Sequence, residues 1–207
     1  MKHTALIAAF ALICMLFTGC EKDDLSNAHF TYDHTVAGSQ AILRDKFVAT
    51  AEEWLGAKEA NGSHQPIIDL YNSQESLPRG YAVQYDDQWC ATFVSATAIK
   101  AGLTEIIPTE CSCEQQIELF KELDSWVEDD GYLPLPGDII YYRMDNTSIG
   151  DCTKWSDHVG IVIGTYEGHI KVIEGNKDAD VSYRILKQDD AIIRGFAVPD
   201  YAKAAQQ

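Results

Sequence analysis

Four residue types at separated places in this chain could together cut an amide bond. They are a thiol at Cys90, an imidazole at His158, a carboxylate at Glu174 and an amide at Asn176. Cys90 follows Trp89, where a loop rich in Asp and Gln (84–88) gives way to an apolar run. Asp87 is the expected N-cap. Phe93, Val94, Ala98 and Ile99 recur at helical spacing, and Gly102 ends the pattern. Cys90 then lies in the first turn of a helix, near unpaired backbone N–H groups and the positive end of the dipole. Such a place lowers a thiol's pKa and favours the nucleophilic thiolate. By itself it suits a buried structural cysteine equally well; the downstream histidine tips the balance.

Asp157-His158-Val159 puts that histidine at the entry to an apolar strand pattern, and Val172-Ile173-Glu174-Gly175-Asn176 follows about one strand later. Glu167-Gly168 reads as the hairpin turn between them, which makes the two strands antiparallel neighbours. His158 lies further from the turn than Glu174, so a bulge or loose register is needed to bring them together. Glu174 and Asn176 are two residues apart and share a strand face if the strand continues that far. A thiol nucleophile needs a base, and the base needs a polar partner to fix its tautomer. Cys90, His158 and Glu174 or Asn176 supply one of each. Singly, His158 reads as a strand-start histidine bonded to backbone and Glu174 as a solvated strand-end charge; the set together reads as chemistry.

The elements that position these residues divide into a helical half and a strand half. Ser39 caps an expected helix to about Lys58, with Leu43, Phe47, Ala51, Trp54 and Leu55 as its apolar face. The stretch 62–80 is loop-like, with a short helix expected at 67–71. Ser112 and Gln115 have capping-box spacing before a third helix lined by Ile117, Phe120, Leu123 and Val127. After the turn at 134–137 the signals change to short runs rich in Val, Ile and Tyr: 139–143, 159–165, 170–174, 182–187 and 192–198. Helices first and strands afterwards predict an α+β domain with an antiparallel sheet.

A chain of 207 residues, 46% hydrophobic and 23% charged, is long enough to bury a core without staples. Its net charge of −16 argues against nucleic acid or an anionic membrane surface as an electrostatic partner. The N-terminus has a short basic start, an apolar core from Ala5 to Phe17 and the small-residue exit Thr18-Gly19-Cys20, which describes a secretory signal peptide. The apolar run is short of the roughly 18–20 residues that span a bilayer. The Phe-Thr-Gly-Cys ending resembles the lipobox of bacterial lipoproteins, with Phe17 where that motif usually has Leu. It implies lipidation of Cys20 and an extracytoplasmic, membrane-anchored protein in the periplasm or at the cell surface. The expected division is a signal peptide over 1–19, a tether over 20–38, a catalytic domain over 39–201 and a tail over 202–207.

Four ordered blocks resemble the CHAP domain: Trp-Cys-Ala-Thr-Phe-Val-Ser (89–95), Leu-Pro-Gly-Asp-Ile-Ile-Tyr-Tyr (135–142), Asp-His-Val-Gly-Ile-Val (157–162) and Ile-Glu-Gly-Asn (173–176). That family comprises cysteine amidases and peptidases that cut bacterial peptidoglycan, and it is related to the NlpC/P60 enzymes. The resemblance covers about residues 40–200. It implies a papain-like fold, with N-terminal helices packed on a C-terminal antiparallel sheet. By position it implies Cys90 as nucleophile and His158 as base, with Glu174 and Asn176 completing a Cys-His-Glu-Asn set. For the oxyanion, the Cys90 N–H is one expected donor. Gln84 stands six residues before the nucleophile, where papain-like enzymes place a side-chain donor; Gln88 and Tyr85 are further candidates.

The function implied is a lipid-anchored, monomeric hydrolase acting on peptidoglycan peptides, as an N-acetylmuramoyl-L-alanine amidase or an endopeptidase. Two alternatives stay open: a catalytically silent binding lipoprotein with the same fold, and an amidase or protease on a non-wall substrate. No cofactor is expected. Clustered Asp ligands of the calcium-binding members are reduced here to Asp86 and Asp87, so no essential calcium is expected. In an extracytoplasmic chain a disulfide from Cys152 to Cys111 or Cys113 is reasonable. Cys-x-Cys with one distant cysteine lacks the spacing of a structural zinc site.

Overall fold

A computed structural model describes residues 25, 28–30, 38–129, 131–145 and 155–206. The signal-peptide and lipidation readings, and Cys152, lie outside the described residues. Among the described residues five α-helices and six strands follow in chain order: α1 (Gly38–Glu52), α2 (Gln65–Asn72), α3 (Cys90–Ala101), α4 (Cys113–Glu122), β1 (Trp126–Val127), β2 (Ile139–Tyr142), β3 (His158–Tyr166), β4 (His169–Lys177), β5 (Asp180–Lys187), β6 (Ile193–Ala197) and α5 (Tyr201–Ala204). The strands form one antiparallel sheet in the order β1-β6-β2-β3-β4-β5. This is the expected α+β architecture. β1 is an addition: Val127, read from its spacing as part of the third helix, belongs to an edge strand instead.

Alternation along the strands sorts apolar side chains to two faces. Ile139, Tyr141, Val159, Ile161 and Ile173 meet α1–α4 in the main core, while Ile140, Tyr142, Val162, Val172 and Phe196 form a smaller cluster on the other face. At the centre of the main core lies α3, touching α1, α2, α4, β3 and β4. Every residue of α3 except Ile99 and Lys100 is buried, as expected of a helix apolar on all sides. Of its buried polar members, Thr97 Oγ1 donates to the Phe93 carbonyl at 2.8 Å and Ser95 Oγ donates to the Glu110 carbonyl at 2.7 Å, while the Thr92 hydroxyl has no partner among the described residues. Gly102 ends the helix at φ 68°, its N–H returning to the Ala98 and Ile99 carbonyls.

Two helices stop earlier than their apolar spacing suggests. α1 ends at Glu52 rather than near Lys58, and turns follow. Phe47 and Ala51 are buried as expected, but Leu55 is exposed. α4 ends at Glu122; its start is as read, with Ser112 Oγ accepting from the Gln115 N–H.

Candidate active site

Cys90 is the first residue of α3, so its sulfur sits among the N–H groups that open the helix. The expected cap is corrected. Trp89 holds the N-cap position with no side-chain capping bond. Asp87 ties the preceding loop instead, its Oδ2 accepting from the Gln84 N–H and from the Tyr81 hydroxyl, both at 2.7 Å. Trp89 is fully buried, and its indole N–H donates to Glu59 Oε1 at 2.9 Å. That anchor fixes the residue before Cys90.

His158 opens β3, and its Nε2 lies 3.1 Å from Glu174 Oε2 on β4. The hairpin at Glu167 and Gly168 has φ of 46° and 74°, the two positive values of a type I′ turn. On the turn side the pairs are Gly164↔Lys171 and Thr165↔Ile170; beyond a bulge at 163 they become Val162↔Val172 and Ile161↔Ile173. Carrying that register on by one residue sets Glu174 across from Gly160, and on the face that His158 shares. Without the bulge Glu174 would face the other side of the sheet. Gly160 is required there: a Cβ would come 2.5 Å from Val172 Cγ1 and 2.8 Å from Glu174 Cγ.

The other oxygen of Glu174 is taken by Arg184 on β5, whose Nε donates at 2.6 Å. The Glu174 carboxyl is fully buried. Burial raises its pKa, but the hydrogen bonds from His158 and Arg184 and their charges prevail and hold it below the usual range. The Tyr142 ring stacks on His158 at 5.9 Å. Ser156, just before His158, donates its hydroxyl to the Tyr142 carbonyl at 2.9 Å, and its N–H donates to Glu114 of α4 at 3.0 Å. The strand entry that carries His158 is thereby tied to both β2 and α4.

Cys90 and His158 shift one another. Burial pushes the imidazole down, yet hydrogen bonding to Cys90 and Glu174 and their charges raise it to about 9. The Cys90 thiol is held well below its usual value: the Cys113 thiol donates to it, burial opposes, and His158 and the Ala91 N–H favour the thiolate. Between the lowered pKa of Cys90 and about pH 9 the resting pair is therefore a thiolate and an imidazolium. Cys113 is raised well above its usual value by its bond to Cys90 and by burial, so it is the thiol that keeps its proton.

Asn176 sits elsewhere in the site. The β4–β5 register shifts between Glu174 and Lys177, and Asn176 adopts φ 57°. Its amide satisfies its neighbours when the oxygen faces the Trp89 N–H and the nitrogen faces Glu59 Oε1, each at 3.2 Å. Asn176 thus holds the loop that carries Cys90, while Glu174 holds His158. The sequence reading of a shared strand face does not survive this left-handed residue.

Gln84 is exposed, and its amide donates to the Ala82 carbonyl at 2.8 Å. Tyr85 donates to Asp69 at 2.7 Å. Of the three side-chain oxyanion candidates, Gln88 is the one beside the site, at 3.0 Å from the Asn176 amide. A cleft of about 300 Å³ opens there, lined by Arg79, Tyr81, Val83, Asp87, Gln88 and Cys111.

Among the described residues Cys111 and Cys113 are free thiols; Cys113 is buried against Cys90 and Cys111 accepts from Arg79 at 3.3 Å, while the expected bridge to Cys152 falls outside the described residues. Among the described residues no group of three or more His, Cys, Asp or Glu could hold a metal ion, and no helix is long and apolar enough to cross a membrane.

Sequence reasoning missed Arg184, Glu59 and the inward role of Cys113. Arg184 offered a weak signal, a charge inside an apolar strand pattern; Glu59 and Cys113 offered none.

No family profile and no curated protein matches the sequence. Among solved structures the chain is similar to the crystal structure of an NlpC/P60 family protein from Bacillus cereus ATCC 10987, at 15% identity and a TM-score of 0.42, over 74% of this chain. The chain spans 39% of that protein's length.

Proposed function

We propose that this protein is an exported, lipid-anchored cysteine hydrolase that cleaves amide bonds in peptidoglycan peptides. The observation that carries the reading is a thiol at a helix start whose neighbouring histidine is held by a buried carboxylate 3.1 Å away. The four sequence blocks that resemble CHAP enzymes supply the substrate class, and the lipobox-like N-terminus supplies the anchor.

In this reading the Cys90 thiolate attacks the substrate carbonyl. Negative charge develops on the carbonyl oxygen, and the backbone N–H groups at the start of α3 are the donors at hand. The His158 imidazolium gives its proton to the leaving amine, which departs as a thioester forms. Neutral His158 then takes a proton from water, the hydroxide releases the acid, and the thiolate returns. With Nε2 engaged by Glu174, Nδ1 is the nitrogen left for these transfers. Glu174 fixes the ring and stabilises its charged form.

The test is mass spectrometry of fragments released from purified peptidoglycan by the full chain, beside the Cys90→Ala variant. Fragments from the parent alone are expected, and their masses identify the bond as sugar–peptide or peptide–peptide. No release from several wall types, with Cys90 slow to alkylate at neutral pH, would overturn the hydrolase reading.

A further inference from the structure

The starts of two helices converge at one point in the core. Cys90 opens α3 and Cys113 opens α4, and their sulfurs lie 3.7 Å apart. Both are free thiols, with exposures of 5% and 7%. Beyond its hydrogen bond to the Cys90 sulfur, which a serine could also donate, the second thiol has no part in amide hydrolysis. A protonated thiol fixed against a thiolate is the arrangement that two-step sulfur oxidation requires. Cys111 is separated from this pair in its contacts, being engaged with Arg79 and exposed in part.

We propose that Cys113 is a resolving thiol for Cys90: a small hydroperoxide converts the pair to a reversible disulfide, silencing the nucleophile while guarding it from irreversible oxidation. The inference rests on the thiolate reading of Cys90 and does not need the protein to cut amides. With hydrogen peroxide as the hydroperoxide, in the first step the Cys90 thiolate attacks one peroxide oxygen. The S–O bond forms, the O–O bond breaks, and the departing hydroxide takes the proton of the His158 imidazolium to become water. In the second step the Cys113 sulfur attacks the Cys90 sulfenic acid. The S–S bond forms, the S–O bond breaks, and hydroxide leaves with the Cys113 proton as a second water. The two sulfurs together lose two electrons, which reduce the peroxide. The sulfurs stand at van der Waals contact and must close to about 2.05 Å. The buried surroundings admit a peroxide more readily than a bulky thiol reductant, which makes the oxidised state slow to reverse without a small dithiol.

The experiment treats the reduced full chain with hydrogen peroxide, blocks remaining thiols with iodoacetamide, digests it without reductant and maps the peptides by mass spectrometry. The expected product is a cross-linked pair containing Cys90 and Cys113, lost on dithiothreitol with recovery of Cys90 alkylation. The Cys113→Ser variant should give no cross-link and carry Cys90 on to the sulfinic acid, which dithiothreitol does not reverse. Circular dichroism establishes that the variant is folded; if it is not, the parent's peptide map decides. Cys90 reaching sulfinic acid in the parent without a cross-link, or pairing with Cys111 or Cys152, would overturn the proposal. A Cys90–Cys113 link in a protein that releases nothing from peptidoglycan would sink the hydrolase reading and leave this one standing.

Discussion

The Cys90 thiol is held below its usual pKa because three groups aim at it, the Cys113 thiol, His158 and the Ala91 N–H, and together they outweigh burial. Alkylation of Cys90 by iodoacetamide should therefore stay fast well below the pH at which an ordinary thiol loses reactivity. His158→Ala should slow it about tenfold or more at pH 7, measured by peptide-resolved mass spectrometry, since the thiolate fraction falls with its cationic partner. Hydrolysis should need the intact ion pair. On the proposed function its rate should rise as Cys90 deprotonates and fall as His158 loses its proton at about 9. Glu174→Gln removes a charge that favours the imidazolium, so the alkaline limb of the pH–rate profile should move to lower pH. An unmoved limb would mean that Glu174 does not act through His158.

At the level of elements, the site depends on two glycines that let strands and helices approach. Gly160 leaves room for Glu174 to lie across β3, and Gly175 sits beneath the Phe93 and Trp89 side chains of the segment that carries Cys90. Gly160→Ala should displace Glu174 or Val172 and destabilise the fold by about 1–3 kcal/mol, read as a lower urea midpoint. Gly175→Ala should cost a similar amount, about 1–3 kcal/mol, and also slow Cys90 alkylation because it pushes on α3 itself. An unchanged midpoint in both variants would show that the sheet has slack around the site.

For the molecule as a whole, the helical layer is latched to the sheet by a buried ion pair. Arg44 of α1 donates to Asp138 at 2.7 Å and to the Pro136 carbonyl at 2.8 Å, and the Tyr132 hydroxyl takes the other Asp138 oxygen at 2.7 Å. Arg44→Ala strands a buried carboxylate and should destabilise by about 3–5 kcal/mol in urea denaturation. Stability should also follow pH through the site. His158, raised above its unfolded value, stabilises fully below about 6.5, and that contribution is lost as pH rises through about 9. Glu174, lowered, stabilises above the unfolded carboxylate range, and that contribution is lost as pH falls through its folded pKa. His158→Ala should flatten the alkaline side of the denaturation profile.

The sequence by itself determined most of the elements and singled out the candidate residues. Helical spacing after Cys90, the glycine stop at 102, the Glu167-Gly168 hairpin and the β-rich second half are local properties, written in residues a few positions apart. Cys90, His158 and Glu174 could be singled out because each is an unusual residue at an element's start or end. Tertiary structure decided their partners. A single bulge at 163 sets which face Glu174 takes, and a left-handed backbone at Asn176 sends its amide to Trp89 rather than toward His158. The same holds for the Arg184 contact to Glu174 and for the meeting of Cys113 with Cys90. These join residues that are distant in the chain, and their distances depend on how helices and strands stack, which periodicity does not encode.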